Sequence, residues 1–203
     1  MGPSGQGKSV FLKTIAGLFV PDKGQITLKS KNIGMLFQKN ALFDSLTVEE
    51  NLLFPLKERQ GLIGAKARAK AQLFLQAVGL AGSEKQYPDE ISGGMQKRLG
   101  IARALIVEPE ILLYDEPTAG LDPITSRMIA ELIKKLGAER ATTSITVTND
   151  VRRAFQLGDR VFLLAQGQLL GGGTPDEMKN EKSEAIKQFI SGSRQGPLTA
   201  VLA

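Results

Sequence analysis

The amino-acid sequence predicts an α/β protein in which a mostly parallel sheet is flanked by helices. Three observations carry that prediction. Short β-rich runs alternate with helical runs along most of the 203 residues, a glycine-rich turn leads straight into a helix near the N-terminus, and an unbroken apolar run, ILLY at 111–114, ends in Asp115 and Glu116. Alternation of this kind is the pattern of parallel strands joined by right-handed helical crossovers. An apolar run ending in carboxylates is how a strand buried on both faces delivers charge to its C-terminal end.

Residues 7–18 (GKSVFLKTIAGL) space their apolar side chains as a helix does, with Gly17 as the stop. QITLK at 25–29 and IGMLF at 33–37 read as short strands bounded by Asp, Lys, Gly and Ser. Helices are predicted over 47–53 and 65–78, the second rich in alanine, leucine and lysine. Ser92 heads a further helix to about Val107, closed by Pro109. After the strand at 111–114 come a helix over 123–136, a strand over 144–148, a helix over 151–157 and strands at 160–164 and 168–170. Short helices at 175–179 and 183–190 follow, and the tail from Ser191, with Gly192, Gly196 and Pro197, is predicted to be extended. There is no internal repeat and no low-complexity segment.

The composition narrows the chemistry. A hydrophobic content of 42% suffices for a sizeable core, while the apolar stretches, such as 161–165 and 101–107 with its Arg103, fall far short of the roughly 20 residues that span a bilayer. A soluble or peripheral chain is expected. The absence of cysteine excludes disulfides and thiolate metal sites, and the absence of histidine removes the commonest general base and zinc ligand. Carboxylates, lysines, hydroxyls and backbone amides remain. No basic segment followed by an apolar stretch opens the sequence, so a cytoplasmic address is expected. The net charge of +5 is uneven, with 14 basic and 8 acidic side chains in residues 1–100 against 12 and 13 in the remainder. No basic block of five or more occurs, and the excess reads as a solvated surface rather than a nucleic-acid face.

Gly2, Pro3, Ser4, Gly5, Gln6, Gly7, Lys8 and Ser9 fit Gly-x-x-x-x-Gly-Lys-Ser, the loop whose glycines let successive backbone N–H groups turn inward around a β-phosphate. Lys8 is placed to neutralise β and γ oxygens, Ser9 to offer its hydroxyl to Mg²⁺, and the following helix to aim its positive end at the phosphates. Such a loop follows a strand, and here only Met1 precedes it. The expectation is an N-terminal truncation, with a segment from elsewhere in the chain as the other way to fill the slot.

Asp115 and Glu116 sit where ligands of parallel sheets bind. Asp115 is the candidate Mg²⁺ ligand, and Glu116 the group that polarises an attacking water. Ser92, Gly93 and Gly94 form a capped, glycine-exposed helix start, a second place where amides meet an anion; taken alone, a Ser-Gly-Gly run is as well read as an ordinary cap.

With these motifs in this order, the chain resembles the ABC ATPase family over essentially its whole length. The resemblance rests on the phosphate loop, the glutamine loop at Gln38 (MLFQKNALFD), the signature ISGGMQKR at 91–98, the acidic strand ILLYDEPTAGLDP at 111–123, and a D-loop at Gly120, Leu121 and Asp122. It implies a P-loop NTPase fold with a helical subdomain and the N-terminal strands missing. It further implies one domain over 1–203, with a core from 1–45 and 109–191, the helical subdomain at 46–108 and a tail at 192–203. It implies ATP and Mg²⁺ as cofactors, the metal held by Ser9, Gln38 and Asp115, and a head-to-tail homodimer. In that dimer, Ser92, Gly93 and Gly94 of one copy close on the γ-phosphate held by Gly5, Gly7, Lys8 and Ser9 of the other, and Asp122 also borders the nucleotide. Glu116, Gln38 and Asn149 are the implied catalytic residues.

The sequence departs from the family at four places, the mildest being Met95 in the signature, where many members carry glutamine. Asn149 stands where the family carries its switch histidine; asparagine can donate a hydrogen bond but is shorter and cannot become cationic. The aromatic that stacks on adenine in the family is expected in the missing N-terminal portion, and the stretch between Gln25 and Gln38 is short for a full antiparallel layer. The stretch MLFQKNALFDSLTVEENLLFPL, the ISGGM signature and QFISGSRQGPL resemble the importer-type ATPases of Mla/MCE phospholipid transport systems. That likeness implies an integral permease as partner, an MCE-type substrate-binding component beyond it, no nucleic acid, and a peripheral position on the cytoplasmic face of the inner membrane. Ala41, Leu42 and Phe43 serve either as core residues or as a permease-docking surface. The function implied is lipid-transport ATPase; the alternative is a degenerate regulatory subunit that binds nucleotide without turnover.

Overall fold

Capping residues and buried apolar stripes set the elements in a computed structural model, which describes residues 1–39 and 41–199. The first helix, α1 (Lys8–Ile15), leaves the glycine-rich turn at Gly7 and buries Leu12. After β1 (Ile33–Leu36) comes α2 (Val48–Gln60), opened by a reciprocal cap in which Thr47 Oγ1 accepts from Glu50 N at 3.2 Å and Glu50 Oε2 from Thr47 N at 2.8 Å. Then follow α3 (Gly64–Ala77) and α4 (Gly93–Leu105). The chain continues through β2 (Ile111–Asp115), α5 (Pro123–Glu139), β3 (Thr143–Val147) and α6 (Val151–Leu157). It closes with β4 (Val161–Ala165), β5 (Gln168–Gly173), α7 (Pro175–Lys179) and α8 (Glu184–Ser191).

Two expectations are corrected. Residues 25–29 form no strand: every one of them is exposed, and an isolated β-rich run with no edge to pair against cannot satisfy its backbone. The helix predicted over 47–53 runs on to Gln60, through Pro55. The missing proline N–H forfeits one helical bond, but Leu52 and Leu56 are fully buried on either side and hold the helix across the gap. Among the described residues no helix is long and apolar enough to cross a membrane.

Contacts divide the chain into two compact units, one of Met1–Ile26 with Thr146–Ala203 and the other Thr27–Ile145. In the first, β4 and β5 form an antiparallel hairpin with a register shift between Val161 and Leu163. Met1 lies parallel to Leu163, its α-amino group donating to Phe162 O at 2.7 Å and its carbonyl accepting from Leu164 N at 2.8 Å. Gly2 N donates to Thr148 O at 3.2 Å on the other side. Met1 thus makes strand-like backbone bonds just ahead of the loop, and Gly2, the first loop residue, adds one more. Glycine is required at position 2 because a Cβ would collide with the Leu164 carbonyl oxygen. Met1, Val161, Leu163, Ala165, Met178 and Ile186 form this unit's core.

In the second unit, β1 pairs in parallel with β2, Ile33 opposite Ile111 and Leu36 opposite Tyr114, within a sheet ordered β1-β2-β3. Helix α4 lies so close to β1 that a Cβ on Gly34 would stand 2.5 Å from Ala104 O. Asn51, fully buried, accepts from Phe43 N at 2.9 Å and donates to the carbonyls of Phe43, Leu46 and Thr47, so α2 anchors the loop that follows Gln38.

Candidate functional site

The sequence-predicted residues fall into two groups, one in each unit. In the first, Gly5 (φ 76°) and Gly7 (φ 81°) both take the left-handed conformation, which turns the peptides of the loop around a common centre. No side chain caps the first turn of α1, and no acidic residue stands in it. That helix start is suited to an anion supplied from outside the chain. Lys8 is only 8% exposed and folds back along the loop, donating to Gly2 O at 2.9 Å and Pro3 O at 2.8 Å. Ser9 follows, half-buried.

Asn149 is brought to the same loop. It lies two residues beyond the end of β3, and its Nδ2 stands 3.5 Å from Ser4 Oγ, a long contact. The next residue, Asp150, caps α6 by accepting from Arg153 N at 3.1 Å. The asparagine is thereby held at a helix start rather than on a loose loop.

The second group surrounds the end of β2. Asp115 and Glu116 are 3% and 7% exposed. Glu116 takes a left-handed backbone, φ 47°, which a side chain with a Cβ adopts at a cost; its carbonyl accepts from Ala119 N at 3.1 Å, turning the chain sharply after the strand. Asp122 caps α5, its Oδ1 accepting from Ile124 N at 2.9 Å and Thr125 N at 3.0 Å. Hydrogen bonds from the Thr125 side chain and backbone hold the Asp122 carboxyl below its usual range.

Ser92 caps α4, Oγ accepting from Met95 N at 3.3 Å. Gly94 packs against the start of α5, where a Cβ would meet Thr125 Cγ2 at 2.9 Å. The second glycine of the signature is thus demanded by close approach to the helix that Asp122 begins. Gln96 braces the turn from within, Nε2 donating to Pro88 O at 2.7 Å.

Sequence reasoning missed Lys97. This lysine is 4% exposed and its Nζ donates to the backbone carbonyl of Gln38 at 2.7 Å, which ties the glutamine loop to α4. Burial pushes its ammonium below the usual lysine range, while the negative charges of Asp115 and Glu116 pull it back up. The only signal in the sequence was a lysine amid the apolar positions of the 97–107 run.

A family model described as ABC transporter matches residues 1–119. A probable ribonucleotide transport ATP-binding protein of Mycobacterium leprae is 38% identical over 98% of this chain and 61% of its own length. The intermembrane phospholipid transport system ATP-binding protein MlaF of Escherichia coli is 34% identical over 98% of this chain and 79% of its own. The dimeric post-hydrolysis structure of the ATP-binding cassette MJ0796 with ADP and Pi superposes with a TM-score of 0.77 at 34% identity, covering 86% of this chain and 83% of that one. The chain spans about three fifths of the length of the mycobacterial relatives it matches.

Proposed function

The chain belongs to the ABC transporter family, and from that premise we propose that two copies of it bind MgATP between them and hydrolyse it to drive a lipid-carrying permease. The observation that carries this reading is the uncapped, acid-free start of α1 behind two left-handed glycines, with Lys8 alongside. Amides of residues 5–9 and the Lys8 ammonium hold the phosphates of one nucleotide; Ser92, Gly93 and Gly94 of the second copy supply the remaining anion-binding amides. Hydrolysis follows as water attacks the γ-phosphorus, the bond to the β–γ bridging oxygen breaks, and Glu116 takes the proton from the water. Mg²⁺, with Ser9, Asp115 and Gln38 as its donors, supplies charge neutralisation at the phosphate oxygens when bound. Asp122 borders the nucleotide at the dimer interface. Loss of the γ-phosphate removes the joint between the copies and lets them part.

In this reading the core comprises 1–45 and 109–191, the helical subdomain 46–108, and the chain is peripheral to the cytoplasmic face of the inner membrane. Its partners are an integral permease and, beyond it, an MCE-type component. Lipid is favoured over ribonucleotide as cargo because the segments around Gln38 and at 188–198 resemble those of phospholipid systems. A purely regulatory subunit is not favoured, since Glu116 stands at the end of β2 with Asp115 beside it. Sedimentation tests the central step: the full chain runs as a dimer with MgATP and as a monomer with MgADP, and a monomer in both would overturn the reading.

Asn149 limits the rate in this proposal. Replacing it with histidine, which is longer and can carry charge, is expected to raise phosphate release by about tenfold, or about 1.4 kcal/mol, the gain of a charged donor over a neutral one at a developing anion. The variant also acquires a new pH dependence near the imidazole range, about 6.5. Unchanged turnover would remove Asn149 from the rate-limiting step.

A further inference from the structure

The C-terminal tail was expected to be extended, yet residues 193–199 form a folded cap. Gln188, 6% exposed on α8, clamps it: Nε2 donates to Ser193 O at 3.2 Å and Thr199 Oγ1 at 3.0 Å, and Oε1 accepts from Leu198 N at 2.8 Å. Leu198 packs on the core around Met178 and Ile186. The tail reaches a specific partner. Pro197 O accepts from Gln166 Nε2 at 3.1 Å, and the backbone N–H of Gln166 donates to Gln6 Oε1, in the phosphate loop, at 2.6 Å.

Gln166 occupies an unfavourable place for its type. With Gly167 it forms the tight turn between β4 and β5, at φ 52° and 74°, a pair of left-handed residues for which asparagine, aspartate and glycine are preferred. Its two hydrogen bonds hold it there. Their far end, Gln6, sits between the left-handed Gly5 and Gly7, the two loop positions with the greatest backbone freedom. A side-chain anchor at that point restrains more of the loop than one anywhere else in it.

From these contacts we infer that Gln166 is a positioning residue, which relays the docked tail to the phosphate loop and presets the loop amides for nucleotide. This rests on the reading of residues 2–9 as the phosphate site. Any partner that peels the tail from Gln188 loosens nucleotide binding without touching the site.

The test is a double-mutant cycle in the full-length chain, with MgATP affinity as one readout and hydrogen exchange of the amides of residues 4–9, without nucleotide, as the other. Gln188→Leu undocks the tail, and Gln166→Gly keeps the turn while removing only the bond to Pro197. Each is expected to weaken MgATP binding by about fivefold, the worth of one net hydrogen bond, and to speed loop exchange. In a Gln6→Met background, which lacks the acceptor, neither substitution has a further effect. Equal effects in both backgrounds would overturn the relay and leave the tail a stabilising cap. If the parent chain bound no MgATP, the phosphate-site reading would fall, and loop exchange alone would still decide whether the tail and the loop are coupled.

Discussion

Replacing Lys8 with alanine is expected to weaken MgATP binding by about 100-fold or more while leaving the chain folded. The ammonium is held within the loop by the carbonyls of Gly2 and Pro3 at 2.9 and 2.8 Å, so its position is set before nucleotide arrives. A charge-assisted hydrogen bond contributes about 1.5–3 kcal/mol, and one well-placed ammonium facing β and γ oxygens makes more than one; about 3 kcal/mol corresponds to two decades in affinity. The fold tolerates the change because Met1 and Gly2 are also tied by backbone bonds to Phe162, Leu164 and Thr148. Arginine at position 8 separates charge from shape: it keeps the positive charge, but a planar fork does not fit where a compact ammonium does, and most of the loss should persist. Calorimetric titration with MgATP measures the affinity, and a thermal melt confirms that the variant is folded. Parental affinity in the alanine variant would remove Lys8 from the site.

How far the sequence could be read varies with the range of the interactions. Helix α6 was legible residue for residue, because Asp150 and the spacing of Val151, Ala154 and Phe155 are local signals. The start of α2 was equally plain in Thr47 and Glu50, whereas its end was hidden: Pro55 reads as a stop, and only the tertiary burial of Leu52 and Leu56 overrides it. Residues 25–29 failed in the opposite sense. Their β-rich composition is real, but a strand exists only with a partner edge, which is a property of the fold rather than of the segment. The left-handed turns at Gly5 and Gly7 and the cap at Ser92 were legible because each belongs to a short run with its own backbone requirement. The bonds that join distant runs were not: Lys97 to Gln38 crosses 59 residues and Gln166 to Gln6 crosses 160, and no periodicity marks either pair.

Conversion of Glu116 to glutamine is expected to lower turnover by about 10²–10³-fold while MgATP affinity is retained and the ATP-bound dimer persists. Glutamine keeps the size and the hydrogen-bonding reach of the side chain but cannot take a proton from water, and removing a positioned base costs about two to four decades in rate. The dimer should outlive its parent form because the γ-phosphate that joins the copies is no longer cleaved. The strained backbone at residue 116 and the bond from Ala119 N to its carbonyl do not depend on the carboxylate, so the turn after β2 survives. Lys97 provides an internal check on the substitution. Burial already lowers its pKa, and Glu116 is one of the two charges that oppose the lowering. With that charge gone, the buried ammonium is less compensated and its pKa falls further, so the variant should melt somewhat below the parent at neutral pH. The difference should close as pH rises toward the lowered pKa of Lys97, where the ammonium discharges and the lost charge no longer matters. Single-turnover phosphate release, sedimentation with MgATP and melts across pH read the three effects separately. Full turnover in the Glu116→Gln chain would assign the base to another group.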